Sequence, residues 1–152
     1  MNTATAPAIG TAVLVVRRTI AAPAEDLFDA WLDPEALAIW MRPGEIRSTV
    51  ATLEPRVGGR YEIVMQGPNE QYPHNGVYRV IDRPRRLVFT WISRGTEQRE
   101  TLVTVDFIAR GERTEVVVTH EQLPESAQPS HANGWTSGLE RLDTAFQQGL
   151  LK

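Results

Sequence analysis

Cysteine is absent from the chain, which removes disulfides, thiolate nucleophiles, iron–sulfur clusters and every cysteine-containing zinc site. Lysine is nearly absent too. Fifteen of the sixteen basic residues are arginine and the single lysine is Lys152, so Schiff-base chemistry has no suitable carrier. Imidazole comes only from His74, His120 and His131, whose spacing forms neither HxxxH nor HExxH. No metal and no cofactor is expected. Apolar runs are far too short to span a bilayer, and no basic segment leads into an apolar stretch near the amino terminus. The chain is expected to be cytoplasmic, with no membrane span. Sixteen basic against nineteen acidic side chains leave a net charge of -3, the wrong sign for binding nucleic acid.

What is present describes one globular domain. With 152 residues, 41% of them apolar and 23% charged, the chain is long enough to bury a core of its own. Residues 1–11 read as a flexible tail and 12–152 as a single domain. A β-branched strand over 13–20 is followed by two short helices. Pro23 is placed at the first helical position of one, and Asp33-Pro34-Glu35 gives the other a cap, a first-turn proline and an acid at the positive end of the helix dipole. From 49 to 121 apolar and polar residues alternate in blocks separated by turn residues, which predicts strands over 49–53, 60–65, 76–82, 86–92, 101–109 and 114–121. Two turns compete before the fourth strand, Gly67-Pro68-Asn69 and Asn75-Gly76; the first leaves both flanking strands long enough to pair. After Pro124 the period becomes helical, with Trp135, Leu139, Leu142 and Phe146 on one stripe. Gly134 and Gly138 on that helix are read as tight helix–sheet packing, with a ligand-facing role as the alternative. Seven antiparallel strands and one long helix make an α+β domain whose sheet curls around the helix.

Alternation also assigns the concave face. Tyr61, Ile63 and Met65 share a side of one strand, as do Tyr78 and Val80 on the next, and Leu87, Phe89 and Trp91 after that. Val103, Val105 and Phe107, then Val116, Val118 and His120, continue the surface. Apolar walls with a few fixed polar atoms describe a ligand pocket. They equally describe a filled core in which Tyr and Trp tips reach backbone carbonyls and His120 is a satisfied neutral imidazole. As a pocket, its ligand-binding residues would be Tyr61, Ile63, Met65, Tyr78, Phe89, Trp91, Val103, Val105, Val118, His120, Trp135 and Leu139. His120 is the candidate for acid–base work, because an imidazole titrates near neutral pH. Adjacent Glu121 points to the opposite face and forms no dyad with it. Arg83, Arg85 and Arg86 read as a solvated hairpin tip, and no phosphate-cradling glycine motif or GxSxG occurs.

Several of these fragments carry a family resemblance. Ala22-Pro23 with Phe28-x-Ala30-Trp31-x-Asp33-Pro34-x-x-Leu37, then Val57-Gly58-Gly59-Arg60-Tyr61, Met65-x-Gly67-Pro68, Tyr72-Pro73-His74-x-Gly76-Val77-Tyr78, Arg86-Leu87-Val88-Phe89-Thr90-Trp91, and Thr119-His120-Glu121 followed by Gly134-Trp135-x-x-x-Leu139-x-x-Leu142 appear in order. Together they resemble the activator of heat-shock protein 90 ATPase homologue-like branch of the START/SRPBCC (birch-pollen-allergen-like) helix-grip superfamily. The resemblance implies a hydrophobic pocket between sheet and terminal helix, in a superfamily that includes lipid carriers, hormone receptors and polyketide cyclases. One departure stands out. Many relatives read Trp-Trp-Gly-Pro where this chain has Trp40-Met41-Arg42-Pro43, so the pocket mouth or an adjoining contact is expected to differ.

Three functions remain open at this point: a binding protein for a small hydrophobic or amphipathic molecule, a lyase, cyclase or hydrolase using His120 and a pocket tyrosine, and a chaperone-contacting module suggested by the family label. Unpaired edge strands would also permit a homodimer.

Overall fold

The computed structural model describes residues 11–152; the expected tail lies outside the described residues apart from Thr11, which opens the first strand. β1 (Thr11–Ile20) leads into α1 (Ala24–Asp29) and α2 (Pro34–Trp40). Six strands follow: β2 (Ser48–Leu53), β3 (Arg60–Gln66), β4 (Gln71–Asp82), β5 (Arg86–Ser93), β6 (Thr101–Arg110) and β7 (Arg113–Pro124). Short 3-10 turns occupy Arg94–Thr96 and Glu125–Ala127, and α3 (Gln128–Gln147) completes the order. The strands form one antiparallel sheet in the order β1-β7-β6-β5-β4-β3-β2. β1 and β2, neighbours in sequence, therefore lie on opposite edges, and α1 and α2 make the crossing between them.

Local chemistry fixes the helix starts. The Asp33 carboxylate accepts from the Glu35 backbone N–H at 3.0 Å, with Pro34 just inside the helix, as its sequence predicts. Pro23 sits one position earlier than expected, at the N-cap of α1, where its carbonyl accepts from Leu27 N at 3.1 Å. Leu27, Phe28 and Trp31 turn inward and join Trp135, Leu139 and Leu142 of α3 in the core that fills the sheet's concave side. Phe28 and Phe107 meet edge to face, with centroids 5.2 Å apart. At the far end of α3, Arg18 of β1 pairs with Asp143 at 2.8 Å.

The alternation holds along most of the sheet, with two informative departures. β4 begins at Gln71, five residues before the expected start, so Gly67 to Glu70 is the turn and Asn75-Gly76 lies inside the strand. Gly76 faces Tyr61 across the β3–β4 ladder, and a Cβ there would run into the Thr90 carbonyl and lie 2.7 Å from the Tyr61 ring. Here glycine is required for the approach of strands, not for a turn. Further along, the β4–β5 register shifts between Tyr78 and Val80, leaving Arg79 as an extra residue. Tyr78 stays buried while Val80 turns outward, so the expected placement of Val80 on the concave face is corrected by a bulge.

The glycines of α3 also differ from expectation. A Cβ at Gly138 would make an ordinary 3.8 Å contact with Trp40, and one at Gly134 would meet nothing within 4 Å. Neither position is the tight helix–sheet packing anticipated; Gly134 opens onto free space. Two glycine substitutions therefore act in opposite directions. Gly134→Ala should stabilise the fold by about 0.5–1 kcal/mol through helix propensity, whereas Gly76→Ala should cost at least about 2 kcal/mol by forcing the strands apart. Urea midpoints of the two variants check this, and a stable Gly76→Ala protein would contradict the described β3–β4–β5 packing.

Candidate functional site

The free space beside Gly134 belongs to a cleft of about 720 Å³ at one end of α3. Four segments enclose it. The stretch after α2 contributes Met41, Pro43 and Ile46, and the β3–β4 hairpin contributes Met65, Pro68, Tyr72, Pro73 and His74. The end of β5 and its 3-10 turn supply Trp91, Ser93, Arg94 and Gly95; the opening turns of α3 supply Ser130, His131, Asn133, Gly134 and Trp135. The walls are mostly apolar, and their rings are contiguous. Trp91 lies 5.3 Å from Trp135 and 4.7 Å from His74, and Trp135 stacks on Trp31 at 5.9 Å.

Loop attachments hold the walls apart. Gly44 N donates to Ser137 Oγ at 2.8 Å and Arg141 donates to the Gly44 carbonyl at 3.1 Å, tying the loop after α2 to α3. On the opposite rim Arg94 pairs with Glu70 at 2.8 Å, donates to the Gln71 carbonyl at 3.0 Å and lies 5.3 Å above the Tyr72 ring. Both rims are thus fixed by bonds between elements distant in sequence.

The residues expected to line a pocket divide into three groups. Met65, Trp91 and Trp135 line the cleft. Tyr61, Ile63, Tyr78 and Phe89 instead border a separate void of about 10 Å³ deeper in the sheet, together with Trp91, Trp31, Leu37 and Met41. Val103, Val105, Val118, His120 and Leu139 border neither and are buried in the core beneath. Tyr61 donates its phenol to the Thr90 carbonyl. Burial raises the phenol pKa of Tyr61, with Tyr78 adding to the effect, and raises that of Tyr78 as well.

His120 is fully buried between the cleft floor and the sheet. Its Nδ1 accepts from Trp135 Nε1 at 3.1 Å, which puts the ring proton on Nε2, 2.7 Å from Thr101 Oγ1. The Thr101 hydroxyl donates onward to the Trp91 carbonyl at 2.6 Å. Both ring nitrogens are engaged. Burial, with the neighbouring His131 imidazole assisting, lowers the His120 pKa to about 3, so the ring is neutral at physiological pH.

The expected lining set omits His131 and His74, and it brings in Met41 only through the departure at the pocket mouth; all three line the cleft. His131 stands four residues before Trp135 and so shares its helical face, a signal available in the sequence. His74 shares the parity of Tyr78, but it fell outside the expected strand. Each donates Nδ1–H to a backbone carbonyl, His131 to Ala127 at 2.9 Å and His74 to Ile63 at 3.3 Å, leaving Nε2 as an acceptor. Burial lowers the His74 pKa to about 4, against the opposing Ile63 bond, and lowers that of His131 against its Ala127 bond.

The indole N–H groups also divide. Trp40 donates to the Ala30 carbonyl at 2.9 Å and Trp135 to His120, while the buried N–H groups of Trp31 and Trp91 have no partner among the described residues. An unmade buried hydrogen bond costs about 1–3 kcal/mol. Among the described residues no group of three or more His, Cys, Asp or Glu could hold a metal ion, and no helix is long and apolar enough to cross a membrane.

Comparison with known proteins places this geometry in a family. The sequence model for "Activator of Hsp90 ATPase homolog 1-like protein" matches residues 21–147. No curated protein matches the sequence. Among solved structures, a Rhodobacter sphaeroides protein superposes with a TM-score of 0.77 at 25% identity, over 90% of this chain and 93% of its own. A Chromobacterium violaceum protein gives 0.75 at 23% identity, over 88% and 96%. A Nitrosomonas europaea protein gives 0.76 at 19% identity, over 90% and 95%. The shared feature is the seven-stranded antiparallel sheet with its carboxy-terminal helix, the helix-grip fold.

The buried imidazoles make stability depend on pH with a definite sign. His74 and His120 stay neutral in the folded protein but protonate near pH 6.5 when unfolded, so acid favours the unfolded chain. Between pH 7 and pH 5 each should remove about 2 kcal/mol of stability. Urea unfolding across that range checks the slope, and His120→Asn should make it shallower. Stability that stays flat from pH 7 to pH 5 would contradict the burial of these rings.

Proposed function

The chain belongs to the activator of Hsp90 ATPase homolog 1-like family, and from that premise and the geometry of its cleft we propose that it is a binding protein for a small apolar or amphipathic molecule seated between the sheet and α3. The observation that carries this reading is the cleft itself. Its volume of about 720 Å³ falls within the range of small-molecule sites, roughly 300–1,000 Å³, and contiguous rings face it. Its charge is sparse: among the described residues Glu45 and Arg94 are the only charged ones lining it, and Arg94 is already paired. Apolar walls supply affinity, and the His74 and His131 lone pairs select for a hydrogen-bond donor on the ligand.

In this reading His120 is a positioning residue. It holds the Trp135 indole in place and offers no free ring nitrogen to a bound molecule, as a general base would have to. The chaperone alternative draws on the family name alone, whereas the cleft favours a small ligand.

Gly134 supplies the test, because a side chain there projects into the open cleft. The wild-type protein should bind a neutral fluorophore such as phenylnaphthylamine saturably, and Gly134→Phe should weaken that binding at least about tenfold by occupying the space. Far-UV circular dichroism and melting of the variant verify folding. No saturable binding to wild type would overturn the proposal, and unchanged affinity in folded Gly134→Phe would remove the cleft as the site.

A further inference from the structure

We infer that the binding cavity extends past Met41 into the deep void between Trp31 and Trp91, and that this end takes the oxygen of a neutral carbonyl group. The inference rests on the ligand-binding reading of the cleft and adds the chemical class of the ligand. Cleft and void share two lining residues, Met41 and Trp91. Met41 is an unbranched thioether, the most adaptable of the apolar side chains, and it stands at the junction. On this inference, a change of its rotamer would join the two spaces.

The void is small, about 10 Å³, which suits one water-sized group. Among the described residues, the buried side-chain polar atoms on its wall that lack a partner are both N–H donors. Trp31 and Trp91 both border it, each is almost fully buried, and their indole N–H groups are the two that lack partners. Trp40 and Trp135, which do not border it, are both bonded. The phenol of Tyr61, a further donor on its wall, is already directed to the Thr90 carbonyl. The unmet demand is for an acceptor.

Charge narrows the choice. The residues around the void are Trp, Tyr, Phe, Leu, Ile and Met, with no cation among them. A carboxylate would lose its hydration there without a counter-charge, whereas a ketone, ester or aldehyde oxygen accepts hydrogen bonds at a far smaller desolvation cost. The ligand end is therefore a neutral carbonyl carried on an apolar chain, not a fatty-acid head group.

Displacement of phenylnaphthylamine by methyl nonyl ketone, undecane and undecanoate at neutral pH tests this. The ketone should compete about tenfold better than the alkane, as expected when one to two otherwise unmade hydrogen bonds form, and undecanoate should compete less well than the ketone. Trp31→Phe and Trp91→Phe should each reduce the ketone-to-alkane ratio severalfold. In ¹⁵N-labelled protein the ketone should move the indole N–H resonances of Trp31 and Trp91 downfield and leave that of Trp40 in place, a readout independent of whether either variant folds. Equal competition by ketone and alkane, or stronger competition by undecanoate, overturns the inference while leaving the cleft a binding site. If the fluorophore does not bind at all, the cleft reading fails first.

Discussion

The cleft depends on a chain of three hydrogen bonds that begins on the terminal helix and ends in the sheet. Trp135 donates to His120, His120 to Thr101 and Thr101 to the Trp91 carbonyl, so one line of protons joins α3, β7, β6 and β5. Its direction is not arbitrary. Burial keeps the imidazole neutral, Trp135 then dictates which nitrogen bears the remaining proton, and that proton points to the threonine. Because every member is buried, deleting one strands the next at a cost of about 1–3 kcal/mol. The floor of the cleft, Trp91 beside Trp135, is fixed by this line. A second imidazole, His131, lies 5.2 Å from His120 and adds to the resistance against protonation.

Keeping a hollow open beside a well-packed core needs walls that cannot collapse inward. The two rims solve this differently. The loop after α2 is anchored to α3 through the backbone of Gly44, and the β3–β4 turn is anchored to the end of β5 through Arg94. Exposed ion pairs of the Arg94–Glu70 kind contribute about 0–1 kcal/mol each, so their effect is on geometry more than on stability. Surface arginines elsewhere follow the same pattern: Arg83 grips Asp29 with two bonds at 2.8 and 2.9 Å and thereby joins the β4–β5 turn to α1. That turn was readable as a charged hairpin tip, but its partner on a helix more than fifty positions away was not.

Legibility in the sequence followed the range of the interactions involved. The strands, the two short helices and the apolar stripe of α3 depend on period and on neighbouring turn residues, and all are present in the expected order, with β4 starting five residues earlier than its alternation indicates. Motifs spread along the chain pointed to the family to which it belongs. What failed was register and exposure. Val80 kept the right parity in sequence and lost it to the bulge at Arg79, which depends on pairing with β5. The preference for Gly67-Pro68-Asn69 over Asn75-Gly76 as the turn holds, but that Gly76 lets Tyr61 and Thr90 approach depends on strand pairing. The parity that correctly collected inward side chains could not separate cleft from core, because both faces of that distinction are apolar and concave. Hence Val103, Val118 and Leu139 were grouped with Trp91, although they lie beneath the floor and not on it.

The tryptophans show why composition alone is a poor guide to such a site. Phenylalanine at positions 31 and 91 would fill much of the same space with no polar atom left over, and the edge-to-face contacts among Trp31, Trp40 and Phe107 need only a ring. An indole N–H without a partner lowers stability for as long as no acceptor is near. On the proposed reading, the same deficit would favour an occupant that supplies the acceptor over one of equal size that does not. On the proposed ligand-binding reading, selectivity in a cavity with almost no charge would come from its few unsatisfied polar atoms, the Nε2 atoms of His74 and His131 and the indole N–H groups of Trp31 and Trp91.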